Sequence, residues 1–468
     1  MFHNLLEYSN NTAIITELGE EISYGQLQLD VDCLKHYLSS QKLAVCLCTN
    51  TLPSIVGYIA LIQSHSPTIL LDAGKDKNLL ERYLQTYFPN YIWAPKDRCF
   101  GKICYEYKGY ALFEYSTSKI IIHSDLLLLL TTSGSTGSPK LVRLTDKNLM
   151  SNTDSIIKYL EIDCHERAIT SLPMYYSFGM SVINSHLRAG ASLILTNANI
   201  IQKEFWSLFK GQYATSLAGV PYTFEMLKRL RFFNMQLPYL KTMTQAGGKL
   251  NPDIAKEYME YAQSTGKKFV VMYGQTEAAP RMSYLPCEKA LEKPSSIGIA
   301  IPGGEFSLLD EDGKEILEPN TDGELVYKGA NVCMGYAESL ADLSLGDENH
   351  GILLTGDIAR RDMDGFYYIT GRKKRFVKVW GNRCNLDGIE QLLKGKVSEC
   401  ACVGEDDSIS VFVTEQGIET KIAQWLAEKT KLHVSAFHVW YIKEIPKNNS
   451  GKILYVELMR QNNEDKDI

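Results

Sequence analysis

The chain has 468 residues, 45% hydrophobic and 22% charged, with 49 basic against 55 acidic side chains for a net charge of −6. That length exceeds one ordinary core, so two or more domains are expected. The mildly acidic balance, without a basic block, argues against a nucleic-acid surface. No apolar stretch reaches membrane-spanning length, so no membrane insertion is expected. The opening MFHNLLEYSNN lacks the basic start and apolar core of a secretory leader. Eleven scattered cysteines contain no C-x-x-C. Cys46/Cys48 and Cys400/Cys402 sit at strand spacing and read as small core residues, and a reducing cytoplasm fits them best.

Residues 1–125 alternate between two periods. Leu27, Val31, Leu34 and Leu38 recur at helical spacing. LAVCLC (43–48) reads as a buried strand, SIVGYIALIQ (54–63) as a helix and TILLDA (68–73) as another strand. Strands alternating with helices predict a layered α/β domain.

Five leucines at 126–130 then form a short apolar run, consistent with a buried strand. Thr131-Thr132-Ser133-Gly134-Ser135-Thr136-Gly137-Ser138-Pro139-Lys140 follows, and an apolar segment resumes at Leu141. This loop suits an anion. Gly134 and Gly137 let backbone N–H groups turn toward a phosphate, hydroxyls can donate, and Lys140 adds positive charge. It is not the nucleotide-triphosphatase loop, because Ser138 and Pro139 separate Gly137 from Lys140.

The loop resembles [ST]-S-G-[ST]-T-G-x-P-K-G of the adenylate-forming superfamily: acyl-CoA synthetases, peptide-synthetase adenylation domains and luciferases. One position departs, Leu141 standing for the final glycine. The resemblance implies that Thr132, Ser133, Gly134, Ser135, Thr136, Gly137 and Lys140 hold the phosphates of ATP. Thr145 should cap a helix running to about Leu160. In SLPMYYSFG (171–179), the family's P-x-x-H-x-x-G segment lining the acyl pocket, Tyr176 stands at the His or aromatic position. Ser177 stands where peptide-synthetase domains place an Asp for the substrate's amino group. No acidic residue lies between Pro173 and Gly190, so α-amino acids are disfavoured as substrates. Gly247 and Gly248 follow a strand-like run where the family packs backbone against adenine and the acyl group.

Tyr273-Gly274-Gln275-Thr276-Glu277 resembles the family's Y-G-x-T-E. The resemblance implies nucleotide contacts from Tyr273 and Gly274, a phosphate contact from Thr276 and a Mg²⁺ ligand in Glu277. Residues 296–336 read as three or four antiparallel strands of a small β-barrel, with Met334-Gly335-Tyr336 as a turn. Thr355-Gly356-Asp357 and Gly371-Arg372 resemble the motifs that place Asp357 and Arg372 on the ribose.

Lys373-Lys374-Arg375 is a basic cluster, ordinarily a solvated face, where the family changes domain; Lys374 takes the hinge position. VKVWGNRCNLDGIE retains the family's Lys378, Gly381 and Glu390, with Leu386 and Gly388 departing from it. PKNNSGK (446–452) resembles P-x-x-x-x-G-K and implies that Lys452 is the catalytic lysine; Tyr455 replaces the family's Arg.

The expected architecture is α/β. A large N-terminal AMP-binding domain (1–373) of layered α/β subdomains plus a small β-barrel precedes a small mobile α+β C-terminal domain (374–468). The implied activity is ATP-dependent conversion of a carboxylic acid, a small molecule, to its acyl adenylate, then transfer to the thiol of coenzyme A or of a phosphopantetheinyl carrier protein. Direct transfer to an amine or hydroxyl, or a non-catalytic relative, stays open at this point.

Overall fold

The computed structural model describes residues 1–131, 140–380, 382–405, 407–447 and 453–464. By compactness the chain forms two units, Met1–Phe306 with Tyr327–Leu353, and Ser307–Val326 with Leu354–Ile468. Residues 354–373 thus group with the second unit, and the boundary expected at 373/374 rests on the hinge reading of Lys374.

The first unit holds two large sheets among the described residues. In the eight-stranded sheet, Leu126–Thr131, Thr68–Asp72, Ala44–Cys48 and Tyr91–Pro95 lie side by side and parallel. The leucine run is buried at every position, as its unbroken apolarity predicts. The helix Leu52–Gln63 is apolar nearly all round and buried from Leu52 to Ile62. Thr145 caps Asp146–Leu160 through a reciprocal pair with Asn148, as expected at that boundary.

The nine-stranded sheet has a parallel centre. Lys268–Gly274, Thr242–Gln245, Ser216–Gly219, Arg167–Ile169, Ser192–Ile194 and Thr12–Ile15 run the same way. Antiparallel strands close both ends: Glu21–Ser23 at one, Arg281–Tyr284 and Ile299–Ala300 at the other.

The stretch expected to give adjacent strands at 296–336 instead serves three sheets. Ile299–Ala300 joins the nine-stranded sheet, while Gly304–Leu309 and Gly323–Gly329 join a four-stranded sheet with Ile352–Arg361 and Tyr367–Arg372. The turn expected at Met334–Tyr336 is replaced by a strand, Gly335–Ala337, which pairs antiparallel with Leu141–Thr145. That pairing lies nearly two hundred residues away in sequence, beyond what local turn signals report.

In the second unit, Cys400–Glu405, Ser408–Val413 and Phe437–Tyr441 form a three-stranded sheet. The helices Leu386–Leu393 and Glu419–Thr430 contribute Leu386, Ile389, Leu393, Ile422 and Leu426 to its core.

Candidate active site

The parallel strands of the nine-stranded sheet end on one edge, and their C-terminal loops carry most of the residues singled out from sequence. Arg167–Ile169 leads into the segment bearing Tyr176 and Ser177, Thr242–Gln245 into Gly247 and Gly248, and Lys268–Gly274 into Thr276 and Glu277. Ligands of open α/β sheets bind beyond the carboxyl ends of parallel strands. Two side chains from this edge meet: Ser177 Oγ lies 3.2 Å from Thr276 Oγ1.

Two glycines there are sterically required. Gly247 has φ +83°, and a Cβ on it would lie 2.6 Å from the Tyr176 hydroxyl. At Gly274 a Cβ would lie 1.9 Å from the Pro280 carbonyl oxygen, where the strand Arg281–Tyr284 returns alongside. Gly248 sits against Pro221, and its carbonyl accepts from Gln245 Nε2. Tyr273 receives a 3.3 Å hydrogen bond from Gln275 Nε2.

Glu277 is oriented by a residue that sequence reasoning missed. Tyr336 donates its hydroxyl to Glu277 Oε1 at 2.8 Å, and Lys140 Nζ lies 3.8 Å from the centre of the same ring. Lys140 also pairs with Glu338 at 3.1 Å. Burial and the neighbouring Glu277 charge push the Tyr336 phenol up, so it stays a donor. One tyrosine thus joins the end of the phosphate loop to the Y-G-x-T-E motif. The signal was the return of the chain to the strand after Lys140, which only pairing across the sheet shows.

Arg281 was also missed. Its guanidinium lies 3.8 Å from the Phe178 ring centre and beside the phenols of Tyr159 and Tyr176. Burial lowers its pKa and, with Arg281 opposing, pushes the Tyr159 phenol up to about 12. A cation within a short buried strand was the available sign.

In the second unit, Asp357 and Arg372 face one another in antiparallel register, with Arg372 Nε 3.1 Å from Asp357 Oδ1. Asp357 is 3% exposed although the Arg372 side chain is largely in solvent. The backbone of Lys374 lies in the 3₁₀ turn Lys373–Arg375. Arg375, expected on a solvated face, is buried. It reaches Asp387 at 2.7 Å, Glu390 at 2.6 Å and the Cys402 carbonyl at 2.6 Å. Tyr455 stacks on its guanidinium at 3.8 Å and donates to Glu390 at 3.1 Å. Desolvation opposes the Arg375 charge, but Glu390, Tyr455 and Asp387 outweigh it and raise its pKa.

Thr132, Ser133, Gly134, Ser135, Thr136, Gly137 and Lys452 lie outside the described residues. No helix among the described residues is long and apolar enough to cross a membrane.

The family model described as AMP-binding enzyme matches residues 1–337. The chain is 29% identical over 401 residues to a long-chain-fatty-acid–CoA ligase of Escherichia coli, covering 82% of this chain and 69% of that protein. It is 29% identical over 355 residues to an oxalate–CoA ligase of Arabidopsis thaliana, covering 72% of this chain and 68% of the other. Its fold is similar to that of an O-succinylbenzoate coenzyme A synthetase of Bacillus subtilis solved with AMP, at a TM-score of 0.78 and 19% identity over 97% of both chains.

Proposed function

Because the chain belongs to the AMP-binding enzyme family, we propose that it activates a carboxylic acid with ATP and passes the acyl group to the thiol of coenzyme A. The carboxylate attacks the α-phosphorus, the bond to the bridging oxygen breaks, and pyrophosphate leaves with that electron pair. The thiolate sulfur then attacks the acyl carbon, AMP leaves, and the thiol proton passes to solvent. The observation that carries this reading is the Lys140–Tyr336–Glu277 chain beside Thr276, which gathers a cation, a carboxylate and a hydroxyl in one unit. The relatives named above act on acids as unlike as a long-chain fatty acid and oxalate, so likeness to them leaves the acid open.

Glu277 has the chemistry to hold magnesium. Tyr336 occupies Oε1, while Oε2 accepts no hydrogen bond among the described residues. One carboxylate oxygen alongside phosphates and water is the usual donor set for that ion. Magnesium, when bound, would offset charge on the phosphates. Thr276 would donate to the α-phosphate, and Lys140 with Thr132, Ser133, Gly134, Ser135, Thr136 and Gly137 would hold the departing pyrophosphate. Tyr273, Gly274, Gly247 and Gly248 would border the nucleotide and acyl group, Asp357 and Arg372 would hold the ribose, and Tyr176 and Ser177 would line the acyl side. Lys452 would oppose charge on the α-phosphate, and Lys374 would act as hinge between the two half-reactions. A phosphopantetheinyl carrier protein in place of coenzyme A belongs to the same proposal, since both present the same thiol.

The test separates the half-reactions. Wild type should exchange pyrophosphate into ATP with non-amino carboxylic acids and release AMP when coenzyme A is added. Lys452→Ala should lower exchange about 10²–10³-fold yet convert supplied acyl adenylate to thioester near the wild-type rate. Absence of exchange across a broad acid panel would overturn the reading.

A further inference from the structure

Two buried arginines of the first unit are accommodated differently. Arg143, fully buried, donates to the carbonyls of Tyr336 at 3.0 Å and Met334 at 3.1 Å and pairs with Glu348. Arg281, 4% exposed, has no carboxylate within ion-pair distance among the described residues, and its Nε is buried without a hydrogen-bond partner. Its surroundings are the face of Phe178 and two neutral phenols, Tyr176 and Tyr159, of which Tyr159 takes a side-chain hydrogen bond from it. An aromatic face attracts a cation, but it satisfies no planar fork of N–H donors. Taking a guanidinium out of water without a counter-charge is costly, so native structures rarely leave one that way.

The location indicates what completes it. Arg281 stands opposite Gly274 in register, and its guanidinium covers Phe178, the neighbour of Ser177. Tyr176, beside the guanidinium, reaches toward Gly247. Tyr176 and Ser177 are the residues assigned above to the acyl side. Arg281 also lines a cavity of about 30 Å³ with Met272, Thr244 and Ala218. The one acid lining that cavity, Glu166, already pairs with Lys241 at 3.0 Å and accepts from Thr215.

We propose that Arg281 receives a second carboxylate of the substrate, so that the acid activated is a dicarboxylic acid. This rests on the acid-activating reading above and names its substrate class. A carboxylate matches the guanidinium fork with two parallel hydrogen bonds. Its mono-acid analogue would leave part of that fork, Nε included, unmet, which is the kind of discrimination that binding sites make most strongly.

The experiment compares length-matched pairs: malonate with propionate, succinate with butyrate, glutarate with valerate. Each is assayed for pyrophosphate exchange and for thermal stabilisation of the full chain, in wild type, Arg281→Met and Arg281→Lys. One diacid should exceed its mono-acid partner in kcat/KM by about 100-fold or more. Arg281→Met should erase that preference, mainly through KM for the diacid, while Arg281→Lys retains part of it and covers the case in which the methionine variant fails to fold. A wild type that prefers mono-acids, or an Arg281→Met enzyme that still prefers the diacid, would overturn the inference and leave the acid-activating reading intact. If no acid supports exchange but a diacid stabilises wild type and not Arg281→Met, the anion site stands and the activity fails. Neither exchange nor stabilisation would end both.

Discussion

Arg375 and Arg281 present the same side chain in two environments. In the second unit, Arg375 is met by two carboxylates, a carbonyl and an aromatic face, all from its own unit. In the first, Arg281 has an aromatic face and neutral phenols, Tyr159 hydrogen-bonded to it, and no carboxylate among the described residues. The difference separates a charge that completes a fold from a charge that a ligand would complete. Between them lie Asp357, buried and paired with an exposed arginine, and Glu277, held by the Tyr336 hydroxyl.

The comparison is tested most severely by stability. Arg375→Met strands two carboxylates and should cost about 3–5 kcal/mol in denaturant unfolding of the transition that reports the second unit. Arg281→Met strands no charge and should leave the stability of the first unit unchanged or higher. Equal losses at the two positions would erase the distinction.

Asp357→Ala is expected to weaken ATP binding by about 2–4 kcal/mol, read by calorimetry. An unchanged affinity would take Asp357 off the ribose.

Tyr336→Phe keeps the ring under Lys140 and removes only the donor to Glu277. The magnesium concentration for half-maximal exchange should rise about 10–100-fold. If overall activity falls while that midpoint stays put, Tyr336 does not position a metal ligand.

His186 marks the smallest effect and a different solution. It lines the cavity that Arg281 lines, and burial lowers its pKa against the raising influence of Glu166 and of its 2.8 Å contact with the Val182 carbonyl. With the folded pKa depressed, the unfolded chain takes the proton first. His186 therefore contributes stability above about pH 6.5 that is lost as pH falls below it. Relative to His186→Asn, wild type should lose stability on going from pH 7 to 5, by at most about 1.4 kcal/mol per pH unit. Parallel curves for the two proteins would remove His186 from that account.

What could be read in the sequence followed the range of the interactions. The Thr145 cap acts over three residues and its helix begins where expected. The leucine run needs only its own composition to become a buried strand. By contrast, Lys373-Lys374-Arg375 reads as solvated because the partners of Arg375 come from 12 and 15 residues on, and from Tyr455. Tyr336 looked like a turn residue for the same reason. The proximity of Ser177 to Thr276 was implied only by family resemblance, since 99 residues separate them. Arg281 interrupts an otherwise ordinary strand pattern, and a pattern states where a side chain is buried without stating what faces it.

The Arg375–Tyr455 stack also has a mechanical meaning. Arg375 directly follows the proposed pivot, and Tyr455 stands three residues after Lys452. The stack, reinforced by the shared grip on Glu390, pins these two points of the chain together. A swing at Lys374 would therefore act as a stiff lever, and torque applied at the fulcrum would arrive at the tip with little lost to bending in between.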